Sequence, residues 1–398
     1  MDITIFPGKL NGTLTAIPSK SHAHRLLICA AFSDGETVLY CPETNQDIDA
    51  TAQCLCSLGA HIERTVDGYI VKPVSKVPAS ATLNCSESGS TLRFMLPIAG
   101  ALGVDAVFQM RGRLPQRPLS PLWEEMERMG CHLSRPTADT IRCTGRLKCG
   151  QYEIDGSVSS QFITGLLFAM ALIPGKSNLM ITGKIESKPY IQMTRQALNM
   201  FGVSTTENHV IGSIPFSTPN RIVVEGDWSN AAFFLAANAL GSNVTISGLN
   251  PDSAQGDKAV TVALSALKQN CTISAGDIPD LVPILSVVAG SRYGAIFTDV
   301  GRLRLKESDR VESVAAMLRN LGATVDIVGD TLKIHASQYH GCTIDSARDH
   351  RIAMAAAIAA TTADGPVTIL GAECVSKSYP TFWQEFQKLG GNYEQHIR

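Results

Sequence analysis

Short apolar runs that start just after a cluster of hydroxyls, carboxylates and cations set the rhythm of this chain. The run 26–31 follows Ser19-Lys20-Ser21-His22-Ala23-His24-Arg25, and the run 94–101 follows Glu87-Ser88-Gly89-Ser90-Thr91-Leu92-Arg93. The run 162–172 follows Ser157-Val158-Ser159-Ser160-Gln161, and 281–289 follows Gly276-Asp277-Ile278-Pro279-Asp280. Ser and Asp satisfy the free N–H groups that open a helix, so each boundary predicts a helix start. Ser19 or Ser21 is expected to cap a helix over 22–33 that stops near Asp34-Gly35. Further helices are expected over 48–58, 311–320, 352–361 and 381–389. Strands are expected at 37–39, 61–64 and 69–72.

The ends of these helical patterns repeat. Leu58-Gly59-Ala60, Met129-Gly130-Cys131, Phe201-Gly202-Val203, Gln269-Asn270-Cys271, Leu321-Gly322-Ala323 and Leu389-Gly390-Gly391 each lead into a strand-like alternation. Gly, or Asn in the fourth copy, suits a left-handed helix C-cap. The spacings of 71, 72, 68, 52 and 68 residues define six α/β units, each with two helices and several strands. Units of this size are too large for a solenoid, so three per domain and two domains fit the chain length.

Composition narrows the possible chemistry. The 398 residues are 44% hydrophobic, enough for two buried cores. With 34 basic and 36 acidic residues there is no global attraction to nucleic acid, and any anion binding must come from local clusters. The N-terminus has neither signal nor transit-peptide character, and no apolar stretch approaches membrane-spanning length. Eleven scattered cysteines include only one close pair, Cys54 and Cys56, which lacks metal-ligand spacing. Reduced, mostly buried thiols in a cytoplasm are therefore expected, with no metal and no membrane.

The candidate chemistry lies at the helix starts. Lys20, Arg25, Arg93, Arg310, Arg351 and Lys377 stand at or near helix N-termini, where the helix dipole disfavours cations. Their recurrence in a slightly negative chain points to bound polyanions, with free N–H groups adding to the attraction. Arg117, in Leu114-Pro115-Gln116-Arg117-Pro118, adds a loop cation. Gly89 permits close backbone approach, but the segment lacks the Lys-Ser/Thr ending of a nucleotide P-loop. Ser159, Ser160 and Gln161 offer donors to a polyol or phosphate, and Ser187-Lys188-Pro189-Tyr190 opens another helix. Asp280 could accept a proton from a hydroxyl or could simply cap a helix.

Taken in order from Lys20 to Lys377, these motifs resemble the 5-enolpyruvylshikimate-3-phosphate synthases. The resemblance implies a two-domain inverted α/β barrel, each domain built from three βαβαββ units. It places residues 1–18 plus 227–398 in one domain and 19–226 in the other, with the active site in the cleft between them. It implies enolpyruvyl transfer from phosphoenolpyruvate to the 5-hydroxyl of shikimate 3-phosphate, without metal or cofactor, in a monomer. By the same resemblance, Lys20, Ser21, Arg25, Ser159, Ser160, Gln161, Ser187, Tyr190, Asp280 and Lys306 attend shikimate 3-phosphate. Lys20, Gly89, Arg93, Arg117, Gln161, Arg310, Arg351 and Lys377 attend phosphoenolpyruvate. Asp280, Lys20 and Glu307 become the catalytic groups, with Lys20 expected to be crowded by arginines and able to exchange protons. His22 and His24 match no family role and are expected to be packing or surface residues.

There are departures from the family pattern. Many members carry Asn-x-Gly-Thr where this chain has Glu87-Ser88-Gly89-Ser90, and some carry Asn where Arg302 stands. Two alternatives remain. A UDP-N-acetylglucosamine enolpyruvyl transferase shares the fold, but typically has Lys-Asn at the first motif and a Cys on the loop that here reads Met110-Arg111-Gly112-Arg113-Leu114. A non-catalytic anion-binding protein would need neither Asp280 nor Glu307.

Overall fold

The computed structural model describes residues 1–206, 209–212 and 215–396. The chain divides into two compact units: an inserted unit, Pro18–Glu225, and a terminal unit formed by Met1–Ile17 with Gly226–Arg398. Each has its own apolar core.

One stretch of the inserted unit shows the repeat in full. Strand Ser80–Ser86 pairs parallel with Asp105–Met110 across the helix Gly89–Leu102. Thr140–Gly145 then pairs antiparallel with Asp105–Met110, and Cys131–Ser134 forms the edge. The terminal unit repeats this order with strands Cys271–Ser274, Ala295–Thr298, Thr331–Ile334 and Val325–Val328. Among the described residues six sheets result, three in each unit. Where the chain is interrupted, a distant segment completes the pattern. Asp2–Phe6 fills an inner position beside Val367–Leu370 and Asn392–His396, and Arg221–Val223 pairs parallel with Thr37–Tyr40.

The helix boundaries shift slightly from those expected, to Lys20–Ala31, Gln46–Ser57, Arg310–Asn320, His350–Ala360 and Phe382–Lys388. Glycines 59, 130, 202, 322 and 390 all have positive φ, as the repeated phrase predicts. Asn270 does not enter the left-handed region. Its side-chain amide instead donates to the Tyr293 carbonyl at 3.2 Å, so the Asn secures the turn through its side chain rather than its backbone.

The first helix of each repeat is the buried one. Every residue of Ser160–Leu172 except Gln161 is buried, as is every residue of His350–Ala360. A helix that is apolar all round must be enclosed on all sides, which leaves its N-terminus as the end that can carry polar groups. Ser159 accepts from the Gln161 N–H to start the first of these helices, and Pro174 follows its last turn. Packing here is close. Pro97 lies inside Gly89–Leu102 and has no N–H to offer the Arg93 carbonyl four residues back. Gly165 of the neighbouring helix lies against that carbonyl, where a Cβ would overlap it.

His22 and His24 are both buried packing residues. His24 Nδ1 meets Thr51 Oγ1 at 2.8 Å, and His22 Nδ1 accepts from the Glu225 N–H at 3.2 Å. Burial holds His22 down to about 4 and His24 to about 3, so both are neutral at physiological pH. The eleven cysteines are all free thiols. Among the described residues no helix is long and apolar enough to cross a membrane, and no group of His, Cys, Asp or Glu could hold a metal ion.

Candidate active site

In the inserted unit the polar helix starts form a connected set. Ser19 caps the helix that begins at Lys20, and Ser88 caps the one that begins at Gly89. The Lys20 ammonium, expected among arginines, sits 3.0 Å from the buried carboxylate of Asp47. Asp47 belongs to the first turn of Gln46–Ser57, and its carbonyl accepts from Thr91 Oγ1 at 3.3 Å. A buried hydroxyl chain runs from His24 through Thr51 and Thr91 to Ser88, with Thr51 to Thr91 at 2.7 Å and Thr91 to Ser88 at 2.8 Å. It ties the three helices Lys20–Ala31, Gln46–Ser57 and Gly89–Leu102 together.

Arg25 is almost wholly enclosed. It donates to Thr194, Thr164 and the carbonyls of Tyr190 and Ser21, and its guanidinium lies 5.4 Å from the Phe94 ring centre. All these acceptors are neutral, so its charge is left uncancelled by them. Arg93 likewise braces the fold, donating to Gln161 Oε1 at 3.0 Å and to the Pro118 carbonyl at 3.2 Å. Gln161 in turn donates to Ser90 Oγ at 2.9 Å. Arg93, Gln161, Ser90, Gly89 and the Arg117 loop are thereby brought together. A Cβ on Gly89 would stand 2.6 Å from both Arg117 Nη1 and Arg93 Nη1. Ser187 opens the helix Lys188–Met200 with left-handed φ of 55° and no capping bond of its own, a strained position for a residue with a Cβ.

In the terminal unit a single arginine organises the chemistry. Arg310, with its side chain 1% exposed, donates from Nη1 to Asp280 Oδ1 at 2.6 Å and from Nη2 to Glu307 Oε2 at 2.7 Å. Its Nε donates to Asp349 Oδ2 at 2.7 Å. Asp280 also receives Lys306 Nζ at 3.3 Å on Oδ1 and Arg351 Nη2 at 3.3 Å on Oδ2. It makes no capping bond: the helix Val282–Ser291 starts after Leu281 without a side-chain cap. Burial alone would raise the Asp280 carboxyl. Arg351, Lys306 and Arg310 outweigh that and hold it well below the usual carboxylate range. Burial first, and then the Arg310 charge, pull Lys306 down to about 8 against the opposing field of Asp280.

The helix dipole does not leave these cations unsupported. Asp309 caps the helix of Arg310, and Asp349 caps the helix of Arg351 with its Oδ1 3.0 Å from the Arg351 N–H. Ala347 and Arg348, both left-handed, turn the chain into that cap. Lys377 departs from the expected pattern. It closes the 3-10 helix Ala372–Lys377 rather than opening Phe382–Lys388.

Beside the expected cations the structure places carboxylates whose pairing the sequence did not indicate. Asp47, Asp349 and Asp257 are buried carboxylates beside the expected cations. Burial and the nearby Asp280 charge raise Asp257 to about 6, with Arg351 opposing. Asp257 lies in the short 3-10 helix Gly256–Ala259, which no apolar period marks.

Comparison with known proteins accords with this geometry. The family model described as EPSP synthase (3-phosphoshikimate 1-carboxyvinyltransferase) matches residues 6–277 and 268–386. The chain is 37% identical to the 3-phosphoshikimate 1-carboxyvinyltransferase of Clostridium kluyveri, covering 99% of this chain and 98% of that one. It is 38% identical to the protein of that name from Clostridium botulinum, covering 98% of each. Among solved structures, an EPSP synthase from Acinetobacter baumannii superposes with a TM-score of 0.80 at 25% identity, covering 99% of this chain and all of that one.

Proposed function

The chain belongs to the EPSP synthase family, and from that premise we propose how its own residues divide the 3-phosphoshikimate 1-carboxyvinyltransferase reaction. One observation supports the division best. Asp280 and Glu307, the two carboxylates that acid–base work requires, are held 2.6 and 2.7 Å from the two Nη atoms of one buried arginine. An anion-binding protein that did no chemistry would have no use for that pair.

The reaction adds the 5-hydroxyl of shikimate 3-phosphate to C2 of phosphoenolpyruvate while the methylene carbon takes a proton. The tetrahedral adduct then loses phosphate. Asp280 receives the hydrogen bond of the attacking hydroxyl. Glu307 supplies the methylene proton, and Lys20, held ready by Asp47, exchanges protons at the same carbon. Ser21, Arg25, Ser159, Ser160, Gln161, Ser187, Tyr190 and Lys306 hold shikimate 3-phosphate. Gly89, Arg93, Arg117, Arg310, Arg351 and Lys377 hold phosphoenolpyruvate, Arg93 acting through Gln161 and the Arg117 loop. Preorganised cations stabilise the charge that builds up in the adduct more than the charge already on the substrates, which is the condition for rate enhancement. A monomer in the cytoplasm completes the reading, and free thiols suit that compartment.

Phosphate release from phosphoenolpyruvate is the deciding assay. Release with shikimate 3-phosphate and none with UDP-N-acetylglucosamine is expected. Release only with the UDP-sugar would reassign the substrate, and release with neither would remove the catalytic reading. Gly89→Ala tests the phosphoenolpyruvate half. Its Cβ would push on Arg117 and Arg93. Such overpacking costs about 1–3 kcal/mol, so the KM for phosphoenolpyruvate should rise roughly 5- to 150-fold. Calorimetry should show shikimate 3-phosphate binding essentially unchanged.

A further inference from the structure

Two residues on one helix face grip the side-chain amide of Gln161. Ser90 and Arg93 are three positions apart in Gly89–Leu102, so their side chains project from the same side of that helix. Arg93 Nη1 donates to Gln161 Oε1 at 3.0 Å, and Gln161 Nε2 donates to Ser90 Oγ at 2.9 Å. Arg93 is itself fixed in place. It is buried, it donates to the carbonyls of Gly89 at 3.5 Å and Pro118 at 3.2 Å, and its guanidinium lies 5.6 Å from the Phe162 ring centre. Ser90 does not cap its own helix. Ser88 fills that place and accepts the Thr91 N–H at 3.3 Å, so the Ser90 hydroxyl is not needed to start the helix.

The order of donors and acceptors follows from the groups themselves. A guanidinium has only donors, so the oxygen of the Gln161 amide must face Arg93 and its nitrogen must face Ser90. The reverse orientation would set NH₂ against guanidinium. One contact alone would not hold the amide plane, because the terminal torsion of glutamine is broad and roughly two-fold. The oxygen could stay on Arg93 while the nitrogen swung about it. Ser90 supplies the second point and stops that swing. The Nε2 hydrogen that does not go to Ser90 has no acceptor among the described residues. It is therefore presented as a donor within the group that Gly89 and Arg117 complete.

We propose that Ser90 is a positioning residue for phosphoenolpyruvate: its hydroxyl holds Gln161 with an N–H, and not the carbonyl, turned to the anion. This rests on the assignment above, in which Arg93 acts on phosphoenolpyruvate through Gln161. An N–H that meets a phosphate or carboxylate oxygen makes a charge-assisted hydrogen bond, whereas a carbonyl in its place is repelled. Ser90 touches neither substrate. Its effect passes through the amide it holds, so it depends on the hydroxyl and on the presence of Gln161, and on nothing else about the side chain.

Wild-type phosphate release with both substrates is measured first. Its absence would remove the substrate reading and this proposal with it, whereas the outcomes that follow bear on Ser90 alone. Ser90→Thr and Ser90→Val have the same shape and differ in the hydroxyl. Ser90→Val should raise the KM for phosphoenolpyruvate about 5- to 30-fold with kcat changed less than about 3-fold, while Ser90→Thr should stay within about 2-fold of wild type. A double-mutant cycle with Gln161→Ala then locates the effect. Because Ser90 acts through the amide, adding Ser90→Val to Gln161→Ala should change that KM by less than about 2-fold. Where turnover is too slow, the calorimetric Kd for phosphoenolpyruvate in the presence of shikimate 3-phosphate replaces KM. An equal loss in both backgrounds, a Ser90→Thr enzyme as impaired as Ser90→Val, or an unchanged KM in Ser90→Val would each overturn the assignment. If Ser90→Val does not fold, Ser90→Ala taken through the same cycle gives the same readouts.

Discussion

Asp280→Asn should lower turnover about 10³-fold while leaving the protein folded at neutral pH. The substitution preserves volume but replaces one acceptor oxygen with an NH₂. That NH₂ must then face Arg310, Lys306 or Arg351, all of which are donors. The attacking hydroxyl loses its charged acceptor, and Lys306 loses the counter-charge that stands 3.3 Å away. A steady-state assay with both substrates saturating is the measurement, and a kcat within a few-fold of wild type would refute the role. The same substitution has a stability signature. The folded-state pKa of Asp280 lies below its unfolded value, so the stability it contributes is present above about pH 4 and is lost as pH falls through the folded value. Part of the acid sensitivity of the terminal unit should therefore disappear in the variant. Activity should show no limb from Asp280 near neutrality, since it stays ionised there.

Arg310→Met should be the most damaging single change to the terminal unit. The methionine replaces the stem but leaves Asp280, Glu307 and the fully buried Asp349 without their shared cation. Breaking a buried ion pair by removing one partner costs about 3–5 kcal/mol. At roughly 2–4 °C per kcal/mol for a unit of this size, the melting transition of the terminal unit should fall about 6–20 °C. The pH dependence identifies the cause. A carboxylate left buried without its counter-charge is disfavoured in its ionised form. Its penalty is therefore largest at neutral pH and shrinks as pH falls. Calorimetry at pH 7 and pH 5 should show the gap to wild type narrowing, and a gap that is constant or wider would mean that lost packing, not charge, is responsible. Activity should be lost even where the unit stays folded, because both carboxylates of the acid–base pair are held by this arginine.

Much of the architecture was legible from local pattern. Five of the six helix-ending phrases carry a glycine at positive φ, because only a residue without a Cβ takes that conformation at little steric cost. The sixth shows where such reading stops. Asn270 belongs to the repeat, but it uses its side chain on Tyr293, a partner 23 residues away that the local sequence does not mark. The caps at Ser19, Ser88, Ser159, Asp309 and Asp349 were equally local, since each side chain serves an N–H two or three positions on. Lys377 shared the local signature of a helix start and was misplaced by it, because the turn before it is a 3-10 helix.

The amino-acid sequence alone determined the fold class, the six repeats, the family and the residues that carry charge to the helix starts. All of these follow from short-range stereochemistry and from motif order. Which charges cancel was decided only by tertiary structure. Lys20 rests on Asp47, 27 residues away, and Arg310 on Asp349, 39 residues away, while among the described residues Arg25 meets only neutral acceptors. The role of Asp280, whether it caps a helix or lies among cations, was likewise open in the sequence. It was settled by Arg310 and Arg351, 30 and 71 positions along the chain. The physical reason is range: a cap is satisfied within one turn of backbone, but the field at a buried carboxylate is the sum over every charge the fold brings near it.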